Sequence, residues 1–295
     1  MSSPDVSAPQ GQPGFDPRMP MGDRRSRVFR GGAARNTWIA VLSTVVFFTV
    51  VSILIVGSPG WPTVKSFFFD GTEFAYAFPQ ILATFWRNVF IFCTSEVLVL
   101  LFALLIAVLR SLPGPVFAPL RLLAAGYTDL FRGVPTILVI LLLGFGMPAL
   151  ELQGLPQSDV FWAIVALTLV YSAYVAEVYR AGIESIHPSQ VAAARSLGLT
   201  RAQSLRHVVL PQAVRRVIPP LLNDFIGLQK DSALVSVLGY TEALLRAQII
   251  EANDFNFTPF VALAVIYVAI TIPQARFVDW LIARERRRRE GGTQL

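Results

Sequence analysis

Apolar residues in this chain gather into six long runs, at 37–57, 84–109, 120–149, 160–181, 214–239 and 257–282, separated by polar stretches that hold much of the Gly and Pro. A helix needs about 20 mostly apolar residues to cross ~30 Å of hydrocarbon, and each run reaches that length. Alternating segments of about nine to eleven residues, the signature of a membrane barrel, are absent. The pattern predicts an all-α integral membrane protein with six transmembrane helices. Around them it leaves a tail at 1–36, a connection at 58–83, a long polar loop at 182–211 and a basic end at 284–295.

Composition agrees. The chain is 54% hydrophobic and 15% charged, with a mean hydropathy of +0.57, a balance that suits lipid better than water. The net charge of +6 has its source in topology, and no nucleic-acid partner is expected. Twenty Lys and Arg fall in the tail, the second-to-third connection, the long loop and the C-terminal end, whereas Lys65, Arg87 and Arg246 fall on the other side. The positive-inside rule then places both termini and the long loop in the cytoplasm, with 58–83 as an extracytoplasmic loop. The tail, rich in Pro, Gly, Ser and Arg, is expected to be disordered. Its length and the extent of the apolar run after it favour an uncleaved signal anchor over a cleaved signal peptide. The Arg286–Arg289 cluster reads as a basic stop at the inner face, with membrane lipid beside it.

Soluble-enzyme chemistry is sparse. Cys93 is the only cysteine, and His187 and His207 lie 20 positions apart without ligands at metal spacing. Lys65 and Lys230, the two lysines, follow no Gly-rich phosphate loop, so ATP hydrolysis would need another polypeptide. Asn256-Phe257-Thr258 fits a glycosylation sequon but carries no weight beside a span.

The long loop is the most informative segment. It is polar and Arg-rich, yet built to fold: Pro188 opens a short Ala-rich helix, Gly198 ends it, and a second helix runs from Arg201 until Pro211 breaks it. A structured charged hairpin between two spans implies that something docks there. The spacing of Ala192-Ala193-Ala194, Gly198 and Leu210-Pro211 resembles the EAA loop of ABC importer permeases, with Ala192 where that family has Glu. Asp129-Leu130-Phe131-Arg132-Gly133-Val134-Pro135 is similar to the ElfRGtP signature of polar amino acid permeases (the histidine, glutamate, glutamine and arginine group). Ser172-Ala173-Tyr174 through Ile183, Leu210-Pro211-Gln212-Ala213, Leu222-Asn223-Asp224-Phe225-Ile226 and Lys230-Asp231-Ser232-Ala233-Leu234 resemble further motifs of that group, in order.

The resemblance implies a five-helix type I permease core at 84–283, with the helix at 37–57 added outside it. It further implies a coupling loop at 182–211 seated on a cytoplasmic ABC ATPase dimer, which binds ATP and Mg. A second permease, identical or a sister, and an extracytoplasmic amino-acid-binding protein complete the assembly. This chain would bind no cofactor and carry no catalytic residue. It would move glutamate or another polar amino acid across a bacterial inner membrane by alternating access. A stand-alone secondary transporter or channel is the other class, but six spans without an apparent inverted repeat are few for one, and it would have little use for the hairpin.

Ionisable residues at membrane depth mark a candidate pathway, because each costs at least about 2.5 kcal/mol unless paired or wetted. Glu96, Asn223, Lys230, Asp231 and Ser232 are its candidate residues, with Glu96 and Lys230 expected to face the interior between helices. Lys230 either meets substrate or holds helices together through a carboxylate, and the sequence leaves both open. Gly227 reads as a packing glycine rather than a helix opening. Arg132, Gly133 and Pro135 form a candidate inner gate, where Pro135 removes a helical hydrogen bond and kinks the span.

Overall fold

A computed structural model describes residues 22–291; residues 1–21, most of the expected tail, lie outside the described residues. All regular structure within it is helical. Four helical stretches are long and apolar enough to cross a membrane, or up to six if each of two bent helix pairs is one span. The chain divides into Met1–Thr63 and Val64–Leu295. The first unit holds α1, Gly22–Val56, whose span-quality part is Asn36–Val56. Helix therefore starts well before the apolar run, within the stretch expected to be disordered.

The second unit corrects the reading of 58–83 as a simple connection. Helix α2, Trp61–Phe68, straddles the boundary, and α3 runs from Gly71 to Ser111, 41 residues. Asp70 starts α3 by accepting from the Thr72 and Glu73 amides at 2.8 and 3.1 Å, an N-cap that replaces the missing intrahelical partners. Ala77, Ile81 and Phe85 then repeat at helical spacing on a buried face, so Pro79 does not end the helix. Asn256 is engaged nearby, donating to the Ser66 carbonyl at 3.0 Å and accepting from the Thr258 amide at 2.8 Å.

The third apolar run is two helices. Helix α4, Ala118–Gly133, follows a 3-10 turn at Pro115–Phe117, and α5, Thr136–Ala149, leaves it at 101°. The expected kink is a full break: Val134 is extended, and Pro135 has no N–H with which to continue the ladder. Helix α6, Asp159–Glu184, is the most deeply packed. After the hairpin, α9, Leu210–Asp231, passes into a 3-10 segment at Ser232–Leu238. Left-handed Gly239 turns the chain into α10, Ala243–Asp254, and α11, Thr258–Gly291, closes the fold.

Packing forms two cores. One joins Ile91, Phe92 and Val99 of α3 to Leu167, Val170 and Val175 of α6 and Leu228 of α9. The other joins Ala77, Ile81 and Phe85 of α3 to Ala247 and Ile250 of α10 and Leu263 of α11. Small residues allow the close approaches that drive helix association in lipid. A Cβ on Gly182 would lie 2.1 Å from Val217 Cγ1, and one on Gly144 would lie 2.3 Å from Leu238 Cδ1. Gly227 likewise sits under Tyr171, 3.2 Å from the hydroxyl to a notional Cβ, in an unbroken helix, which fits the packing role. Gly144→Val should therefore lower stability by about 1–3 kcal/mol through overpacking. Thermal unfolding in detergent should show that drop, with partial recovery when Leu238→Ala is added; no recovery would contradict the contact.

Candidate functional site

The hairpin is welded at every joint. His187 caps helix α7, Pro188–Ser196, by accepting from the Ser189 amide at 3.2 Å. Gly198, at φ +85°, ends it: the Gly198 amide donates to Arg195 and the Leu199 amide to Ala194, at 2.9 and 3.2 Å. That pair of bonds satisfies carbonyls the helix leaves open and needs a residue free to be left-handed. Thr200 and Gln203 then bond each other's backbone amides at 3.3 and 2.9 Å, a capping box opening α8, Arg201–Ser204. Arg216 donates to the Ser185 carbonyl across the base.

Pro211 does not break the second helix as expected. A π-helical turn at Leu205–Val209 connects α8 directly to α9, in which Pro211 occupies the first turn. The Leu210 amide closes that π turn on the Leu205 carbonyl, and the helix runs on past Pro211. Ala194, Ser204 and Val209 face inward, whereas Ala192, Ala193 and Leu210 are exposed and Leu197 is 84% exposed. The outer face is thus small, partly apolar and rimmed by exposed Arg195, Arg201 and Arg206.

Above the hairpin a polar cluster ties three helices together. Glu177 of α6 accepts from Arg180 and, at 2.8 Å, from Arg110 of α3, which also donates to Thr128 of α4 at 3.1 Å. Arg180 reaches Glu184 as well. Asp129 and Arg132 form no ion pair among the described residues; the Arg132 guanidinium lies 5.8 Å from the Tyr174 ring centre instead, and Tyr174 donates to the Arg132 carbonyl at 3.4 Å. Arg132, Gly133 and Pro135 are exposed at the α4–α5 break.

The pathway residues divide between two faces of α9. Asp224, Gly227 and Asp231 share the stripe toward α6, where the Tyr171 hydroxyl donates to Asp231 at 2.9 Å. Glu96 of α3, half-buried, stands within electrostatic reach of Asp224, next to the edge contact of Phe92 with Phe225 at 4.6 Å. Asp224 Oδ2 is buried without a hydrogen-bond partner. Asn223 and Lys230, seven residues apart, share an exposed stripe. Among the described residues Lys230 forms no ion pair with Glu96, and within this single chain its side chain is exposed. Ser232 is buried, donates to the Gln229 carbonyl at 2.7 Å and also meets the Tyr267 hydroxyl of α11.

Sequence reasoning missed Tyr171 and Asp224, although the seven-residue spacing of Asp224 and Asp231 was visible. It also missed Glu242, fully buried, which caps α10 by accepting from Leu244 and Leu245 and from the Asn88 amide of α3 at 2.6 Å. An acid just after Gly239-Tyr240-Thr241 was the available signal for that cap. No group of three His, Cys, Asp or Glu among the described residues could hold a metal ion.

Residues 115–287 match the family described as the binding-protein-dependent transport system inner membrane component. A probable glutamine ABC transporter permease protein, GlnM, of Bacillus subtilis (strain 168) is 36% identical over 172 residues, 57% of this chain and 77% of that protein. The arginine transport system permease protein ArtQ of the same organism is 37% identical over 158 residues, 53% of this chain and 71% of that protein. A crystal structure of an amino acid ABC transporter with histidines superposes with a TM-score of 0.67 at 30% identity, covering 73% of this chain and 98% of that one. The chain belongs to the binding-protein-dependent transport system inner membrane components, as a permease of the polar amino-acid ABC importer type.

Proposed function

We propose that this chain forms one half of the membrane pathway of an ATP-driven amino-acid importer and passes the work of a partner ATPase to that pathway through the hairpin. The observation that carries this reading is the hairpin itself: polar, exposed, capped at both short helices and fixed at its base to α6 and α9. A segment so rigid moves as one piece. Through the π turn it is continuous with α9, which bears Asp224 and Asp231, so a push at Leu197 is delivered to the pathway helix. Six spans with both termini and the hairpin in the cytoplasm, each bent pair counting once, satisfy both the charge asymmetry and this connection. ATP and Mg belong to the ATPase dimer, a binding protein delivers cargo outside, and a second permease completes the pathway.

In that pair the exposed stripe of Asn223 and Lys230 faces a wetted route rather than lipid, which removes the cost of an ammonium in hydrocarbon. Lys230 is the charged side chain of that stripe, and the cargo is a polar amino acid. Arg132, Gly133 and Pro135 are the inner gate: the break leaves α4 and α5 free to change their mutual angle, and Arg132 on Tyr174 latches one setting.

Three outcomes test this. Gly198→Val forces a β-branched residue into a left-handed turn and should cut substrate-stimulated ATP hydrolysis at least tenfold in the reconstituted complex. Ala192→Glu should be tolerated, whereas Ala193→Arg should prevent co-purification with the ATPase; equal loss in both would contradict the register of the docking face. For the pathway, Asp224→Asn should raise the KM for arginine or glutamine uptake at least tenfold with assembly unchanged. A lower expression level with KM unaltered would assign that carboxylate to packing instead.

A further inference from the structure

The turn between α3 and α4 carries a feature that coupling and cargo leave unused. Arg110, Ala118, Arg121, Leu122 and Ala125 line an open cleft of about 370 Å³ with no carboxylate in its lining. Both guanidiniums are held in place from behind. Arg121 Nη1 donates to the Leu112 and Gly114 carbonyls at 2.8 and 2.7 Å, and Arg110 Nη1 is held by Thr128 and Glu177. Among the described residues both side chains are held through Nη1, which leaves Nη2 and Nε of each facing a ligand, in a fork that matches the oxygens of a phosphate.

What lies beside the cleft narrows the ligand. Val116, Leu122 and Leu123 are 82%, 72% and 71% exposed, and Phe117 and Leu120 are exposed as well. Helix α4 buries its other face, with Ala124 and Thr128 buried and the Tyr127 hydroxyl donating to the Leu169 carbonyl of α6 at 2.7 Å. It lies at 101° to α5, so α4 departs from the direction of α5 and its exposed apolar side chains border the cleft. A paired cationic cleft bordered by bare aliphatic side chains suits a molecule with an anionic head and apolar chains.

We propose that this cleft binds the phosphate of an anionic phospholipid, with its acyl chains over Val116, Leu122 and Leu123. With the orientation given above, the lipid belongs to the inner leaflet. Bound lipid braces the α4 side of the α4–α5 break.

The test uses the assembled transporter in nanodiscs containing photoactivatable phosphatidylglycerol, with photoactivatable phosphatidylcholine as the parallel probe, and cross-links mapped by peptide mass spectrometry. Phosphatidylglycerol should label residues 116–125 at least fivefold more than phosphatidylcholine does. Arg121→Gln should abolish that preference, and so should Ala118→Glu, which keeps both arginines and adds a repelling charge if the first variant folds poorly. Inorganic phosphate at about tenfold excess over lipid should not compete, because it lacks the chains that make lipid the better ligand. Equal labelling by both lipids, or a preference that survives both variants, would overturn the proposal. Labelling of the isolated permease that vanishes in the assembled transporter would also overturn it, assigning the surface to the second permease.

Discussion

Hydrocarbon offers a peptide group no hydrogen-bonding partner, so a chain that crosses it must satisfy its own backbone or meet water wherever its helices stop. Most of this structure follows from where that rule is relaxed. The apolar runs are helical throughout, but Val134-Pro135 interrupts one pair and Gly239 another. At each interruption polar side chains close the gap: Tyr174 donates to the Arg132 carbonyl beside the first, and Glu242 with Asn88 takes up the α10 amides beside the second. The Glu242 carboxylate is buried because three donors, the Asn88 side-chain amide and the Leu244 and Leu245 amides, stand where water would otherwise be needed. The breaks are thus held by particular bonds and form joints between rigid pieces.

Rigidity matters for function because the hairpin and the pathway stripe lie on one continuous piece of backbone. The left-handed Gly198, the capping box and the π turn each settle a local hydrogen-bond problem, and together they leave no slack between Leu197 and Asp231. Glu177, joined to Arg110 and Arg180, anchors α6 to α3 beside that lever. Close glycine contacts at Gly182 and Gly227 hold α6 against α9. In the proposed function, motion imposed at the hairpin takes α9 as its route and the α4–α5 break as its release.

Local chemistry made much of this legible in the sequence. Apolar run length gave the all-α membrane class, and Pro188, Gly198 and the Ala run gave the first short helix, because those residues act through their own backbone. Two readings missed helix for different reasons. Pro211 reads as a breaker, yet the first turn of α9 accommodates it, and 58–83 reads as what lies between two apolar runs, yet Asp70 caps a helix there whose apolar face packs. Facing was harder still. Lys230 and Asp231 differ by one residue and about 100° of helix, and only the contact of Tyr171 with Asp231 tells which side of α9 is packed. Asp224 and Glu242 went unread because their roles depend on residues far along the chain.

The most direct measurement of the coupling claim is thiol protection at the hairpin tip. In a chain with Cys93 replaced and Leu197→Cys introduced, a maleimide should react quickly with the isolated permease, where this side chain is 84% exposed. In the complex with its ATPase the reaction should slow at least tenfold, and further modification of the free permease should block assembly. Equal rates in the two states, with modified permease still assembling and hydrolysing ATP on demand, would show that the hairpin is not the docking element.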